Sequence, residues 1–165
     1  MRYDPNFGIG PTPKVAVLRE FKNTPENGLG LPMPEGRIRF YREDDTDKRP
    51  EFTGENNIEH TPQGETLRIK TGEAFDIVAE RKRTDFKLQN NRDQAEEEFE
   101  ITLRNRKKTA VEVRVIEKLY RGLNWEIIER TDAFEKRDAQ TIEFRILVQP
   151  DEEKKTTYRV RYDWR

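Results

Sequence analysis

Through the second half of the chain, apolar residues recur at every other position for several steps at a time. Val111, Val113 and Val115 alternate with Glu112 and Arg114. Ile142, Phe144, Ile146 and Val148 alternate with Glu143, Arg145 and Leu147, and Tyr158, Val160, Tyr162 and Trp164 alternate with Arg159, Arg161 and Asp163. Successive Cβ atoms of a strand point to opposite faces, so a period of two describes a sheet with one side on a core and the other in water. No segment holds a helical period. With Trp125 and Ile127 on a further short strand, and turns at Asn105 to Thr109 and Pro150 to Lys154, this rhythm predicts an immunoglobulin-like β-sandwich. The cysteine pair of antibody domains is missing, because the chain has no cysteine.

The first half is β-rich but irregular. Strands are predicted over Lys14 to Asn23, Arg37 to Arg42, Glu51 to Asn57 and Thr66 to Lys70. Ala74 to Leu88 reads as the longest strand, with Phe75, Ile77 and Ala79 on one face. It returns through Asn90-Asn91-Arg92-Asp93, residues that tolerate left-handed geometry, into Glu97 to Asn105 with Phe99, Ile101 and Leu103 inward. Between the first two strands lies Asn23 to Tyr41, where Gly28, Gly30 and Gly36 mix with Pro25, Pro32 and Pro34. Proline fixes φ and removes a donor, so this run is neither helix nor central strand; it reads as a stiff strap across one end of a sandwich. The fold class is thus all-β and antiparallel. Residues 1–13 form a Gly/Pro-rich lead with Tyr3, Phe7 and Ile9 as its apolar contacts, 14–92 a first β-subdomain with the strap, and 93–165 the immunoglobulin-like sandwich. The boundary falls near Asn90 to Ala95, and the long strand is able to serve both sides.

Charge decides whether so polar a chain folds. Charged residues make up 39%, but 32 basic and 33 acidic residues leave a net charge of only −1, and their alternation with apolar residues describes cross-strand ion pairs on outward faces. The balance argues against nucleic acid or an anionic membrane surface as partner, since neither binds without an excess of basic residues on one face. Local basic patches such as Arg81-Lys82-Arg83 are left open by that balance. No apolar run approaches the roughly 20 residues that cross a bilayer, and MRYDPNFGIG lacks the apolar segment of a signal peptide, so export would depend on a segment upstream.

The chain also lacks serine and carries a single histidine, His60. Serine and cysteine nucleophiles, Ser-His-Asp arrangements and zinc sites built on several His or Cys are therefore excluded, and no cofactor is expected. His60, between acids and a Thr-Pro turn, is either a proton-transfer group or a loop tie from its ring nitrogens to backbone carbonyls, and the tie is favoured. Asp44, Asp45 and Asp47 are candidate ligands for a hard cation, but the spacing of a calcium loop is missing and a solvated turn is favoured. Gly28-Leu29-Gly30 lacks the third glycine and the following helix of a nucleotide fingerprint. Paired-carboxylate hydrolysis would draw first on Glu55, Glu59 and Asp85. Tyr120, Trp125, Tyr162 and Trp164 offer either an aromatic binding platform or core, and core is favoured.

Five stretches, the strap with Glu51 to Pro62, Gly72 to Phe86, Asn124 to Glu129 and Thr156 to Trp164, occur in an order that resembles the bacterial domain of unknown function numbered four-one-three-nine. The resemblance runs from about Val15 to Trp164. It implies the C-terminal portion of an exported protein and an extracytoplasmic setting, and it carries no catalytic residues. The function expected from these readings is a non-enzymatic binding or structural module with a protein or glycan partner at the cell envelope. The alternatives are a carbohydrate-active hydrolase and a homo-oligomer assembled through edge strands.

Overall fold

A computed structural model describes residues 4–7, 9–10, 14–43, 48–89 and 93–165. The fold is all-β. Its strands are β1 (Ala16–Lys22), β2 (Gly36–Glu43), β3 (Pro50–Ile58), β4 (Thr66–Glu73), β5 (Ile77–Gln89), β6 (Gln94–Asn105), β7 (Val111–Lys118), β8 (Trp125–Arg130), β9 (Phe134–Lys136), β10 (Thr141–Val148) and β11 (Glu153–Asp163), with one 3-10 turn at Pro25–Asn27. All pairings among the described residues are antiparallel.

Two compact units divide the chain, Val15–Ala74 and Met1–Lys14 with Phe75–Arg165. The boundary expected near Asn90 to Ala95 therefore lies at Ala74/Phe75. The reason is that β5 pairs along its whole length with β6, from Ile77 opposite Asn105 to Gln89 opposite Gln94, which places the long strand wholly in the second unit. The lead belongs to that unit as well, so the first unit is an insertion within the second.

The inserted unit consists of two ribbons, β1 with β4 and β2 with β3. Leu67 and Ile69 on β4 are its buried apolar side chains. Its strap is tied down by Asn23, which is fully buried. The Asn23 amide donates to the carbonyls of Leu31 (2.8 Å), Pro62 (2.9 Å) and Thr61 (3.3 Å), and its Oδ1 accepts the Gly30 N–H at 2.9 Å. Met33 and Thr61 exchange both backbone bonds at 2.9 Å. Gly30, at φ 105°, lies where a Cβ would meet Pro25 Cγ at 2.7 Å, so the strap's tightest corner requires glycine. Asn23→Ala removes the partner of one buried N–H and of several carbonyls, and is expected to cost about 2 kcal/mol. Urea melts with amide exchange at Gly30 check this; a change below about 0.5 kcal/mol with that amide still protected would show that other contacts hold the strap.

In the second unit, a four-stranded sheet in the order β5-β6-β11-β8 faces a three-stranded sheet in the order β7-β10-β9. The core between them contains Phe99, Ile101 and Leu103 of β6, Tyr158, Val160 and Tyr162 of β11, and Ile142, Phe144, Ile146 and Val148 of β10. Tyr158 joins the layers, its ring 5.3 Å from Phe99 and 5.5 Å from Phe144. The division into four and three strands matches a constant-type immunoglobulin domain, but the fifth and seventh strands have exchanged sheets. Phe75, expected inward, precedes β5 and is 93% exposed. Asn105 closes one end much as Asn23 does in the other unit, its amide donating to the carbonyls of Thr109, Val148 and Gln149.

Candidate functional site

Three inward faces of the second unit run out of apolar residues and continue with charges. On β5, Ile77 and Ala79 are followed at the same parity by Arg81 and Arg83. A bulge at Thr84 then shifts the register, so that Asp85 lies opposite Glu98 and Phe86 takes the inward position. On β7, Val113 and Val115 lead to Glu117, and on β6 Glu97 precedes Phe99 on the core face. Glu97, Glu117 and Arg121, from the loop after β7, are all buried.

These side chains form two linked clusters. The Glu117 carboxylate accepts Arg81 Nε at 2.9 and 3.0 Å and the Tyr158 hydroxyl at 2.6 Å, and the Arg81 guanidinium lies 4.0 Å over the Phe99 ring. Glu97 Oε1 takes Arg121 at 2.8 Å and Arg83 at 3.3 Å. Its second oxygen, Oε2, has no hydrogen-bond partner among the described residues. Arg121 also donates to the carbonyls of Asp4 (3.0 Å) and Phe7 (3.1 Å), and the Trp164 indole N–H fixes the Arg121 carbonyl at 3.1 Å.

Burial opposes the charge on Arg81, but the adjoining Glu117 outweighs it and raises the guanidinium's pKa. Burial and then the Glu117 carboxylate push the Tyr158 phenol well above its ordinary value, and burial and then Glu97 raise Tyr162. Both phenols remain protonated donors near neutrality, far from the pKa that a general acid needs there. The chemistry that this interior supports is the holding of hydrogen-bond acceptors by fixed donors.

The outer face of the same sheet shows the expected cross-strand pairing. Arg159 lies opposite Glu98 and Arg161 opposite Glu96, each pair bonded, while Lys155 reaches Glu100 at 3.3 Å. Arg104 bridges Glu80 and Glu153. Exposed pairs of this kind contribute at most about 1 kcal/mol each.

The residues singled out from sequence are scattered. Glu55, on β3, pairs with Arg37 at 3.0 Å and Arg39 at 3.4 Å, and Glu59 is exposed in the loop beyond. Asp85, in the other unit, is bonded to Lys87 (2.9 Å) and Arg159 (3.0 Å), and these two cations lower its pKa. His60 is exposed and its Nδ1 accepts the Glu35 N–H at 3.2 Å, so it ties the strap to the following loop as an acceptor, where a donor to carbonyls was expected. Tyr162 is core. Tyr120 is half-buried edge-on to Phe7, and both indole N–H groups are engaged, Trp125 with the Ala139 carbonyl and Trp164 with that of Arg121. Arg81 and Arg83 point inward, so Arg81-Lys82-Arg83 presents only Lys82 to the outer face. Asp44, Asp45 and Asp47 lie outside the described residues, among which no group of acids and histidines could hold a metal. The buried clusters escaped the sequence reading, although their parity with neighbouring apolar residues was there to be followed. Searches of protein families, of curated proteins and of solved structures find no match for this chain.

Proposed function

We propose that the chain is a non-enzymatic β-sandwich module of a bacterial exported or cell-envelope protein, which binds a protein or glycan partner outside the cytoplasm or braces an assembly there. The observation that carries this reading is the state of the candidate acids: Glu55 and Asp85 are each held between two cations, and the pKa of Asp85 is lowered. A glycosidase needs one carboxyl kept protonated, which burial or a neighbouring acid provides and flanking cations oppose. The resemblance to the domain of unknown function numbered four-one-three-nine supports the setting. The reading includes no cofactor, no nucleic acid and no membrane insertion; no helix among the described residues is long and apolar enough to span a bilayer.

The test offers immobilised full-length chain to a cell-envelope extract and to a panel of purified glycans. The expected outcome is specific retention with every glycan intact. Turnover that Glu55→Gln or Asp85→Asn abolishes would replace this reading with that of a hydrolase.

A further inference from the structure

We propose that the Arg121 socket is a recognition site for a β-turn of the Asp-Pro-Asn-Phe type presented by another polypeptide, and that the chain's own residues 4–7 occupy it in cis. The turn is built like a ligand. The Phe7 N–H closes it onto the Asp4 carbonyl at 3.2 Å, and the Asn6 N–H bonds to Asp4 Oδ1 at 2.8 Å. Proline at the second position fixes its φ in advance, so little entropy is lost on docking.

The receptor is built separately, from the sandwich. Arg121 is oriented by Glu97 through its guanidinium and by Trp164 through its carbonyl, 4.8 Å from the Phe86 ring. Its two terminal nitrogens then take the carbonyls at both ends of the turn, Asp4 and Phe7, as a single planar fork. Phe7 is half-buried and meets the Tyr120 ring edge-on at 5.4 Å, while Asp4, Pro5 and Asn6 are exposed. Among the described residues, the Arg121 fork and the Phe7 ring, set against Tyr120 and 5.8 Å from the Arg121 guanidinium, hold the segment in the way a receptor holds a peptide. A second observation points to a ligand. Glu97 Oε2, on the carboxylate that holds Arg121, is buried with no hydrogen-bond partner among the described residues, an acceptor that the cis turn leaves unused and that a turn bringing a further donor would satisfy.

The inference rests on the binding-module reading and fixes where binding occurs and what is bound. The experiment titrates a synthetic peptide of residues 3–9 into isotope-labelled full-length chain and into its Phe7→Ala variant, following the two indole N–H resonances. Trp164 reports on the socket, and Trp125, bonded to Ala139, is the internal control. The tethered turn competes at an effective concentration in the millimolar range, so weakening it is expected to shift the Trp164 titration to peptide concentrations about tenfold lower, with Trp125 unmoved. Equal affinity for the two chains, or no response at Trp164, overturns the proposal. So does a Phe7→Ala chain that fails to fold, since the turn would then be core and not ligand. An envelope partner retained by a chain indifferent to the peptide removes the socket and leaves the module reading; peptide binding together with glycan turnover does the reverse.

Discussion

Replacing Glu117 with alanine is expected to lower the unfolding free energy by about 3 kcal/mol, because it removes the buried counter-charge of the half-buried Arg81 guanidinium. Arg81 has its Nε and Nη2 on that carboxylate, and Tyr158 donates to it from the opposite sheet, so one truncation unseats a cation and a phenol together. Replacing the unit as a whole should be far milder. Arg81→Met with Glu117→Leu and Tyr158→Phe exchanges charges for apolar groups of similar volume and is expected to fall within about 1 kcal/mol of the parent chain. Urea melts of the two variants decide the point. A single substitution that costs less than about 1 kcal/mol would mean that water reaches Arg81.

Alkaline solution is expected to unfold this chain unusually early. Tyr158 and Tyr162 have phenols whose folded pKa values are raised above the unfolded value of about 10, chiefly by burial and then by Glu117 and Glu97 respectively. Folded phenols then retain protons that the unfolded chain has released, so their contribution is whole below about pH 10 and is lost as pH rises beyond it. Each such group removes about 1.4 kcal/mol between pH 9 and 11, so the two together remove about 3 kcal/mol, with a smaller addition from half-buried Tyr120. Melts at these pH values, read beside phenolate absorbance, should show the buried Tyr158 and Tyr162 ionising only with unfolding. Ionisation of Tyr158 and Tyr162 without loss of structure would contradict the burial argument.

Period two identified the apolar half of the core. It placed Phe99, Ile101 and Leu103, the even residues of β10, and the tyrosines of β11 on faces that are buried. Charged residues at the same parity were read as solvent-facing, since charge outside and hydrocarbon inside is the usual price of desolvation, and so Arg81, Arg83, Glu97 and Glu117 were passed over. The bulge at Thr84 has no signature in the alternation, yet it decides that Phe86 faces inward and Asp85 outward. Asn23 and Asn105 are single residues at strand ends that satisfy carbonyls from distant loops, and no local pattern reveals a partner 39 or 44 residues away. The boundary was misplaced for a related reason: it was drawn at a turn, whereas the pairing of β5 with β6 runs straight through it.

The inward arginines of β5 have a bearing on how the chain avoids its own kind. At 13 residues β5 is the longest strand, and it stands at the end of its sheet. Long, regular and apolar, such a strand would be a template on which nascent chains aggregate. Here a slip of one residue would expose Arg81 and Arg83 and drive Glu80 and Lys82 into hydrocarbon, and the break at Thr84 spoils the regular ladder that an invading strand would need. Charges that weaken the interior therefore guard solubility while the chain is being made.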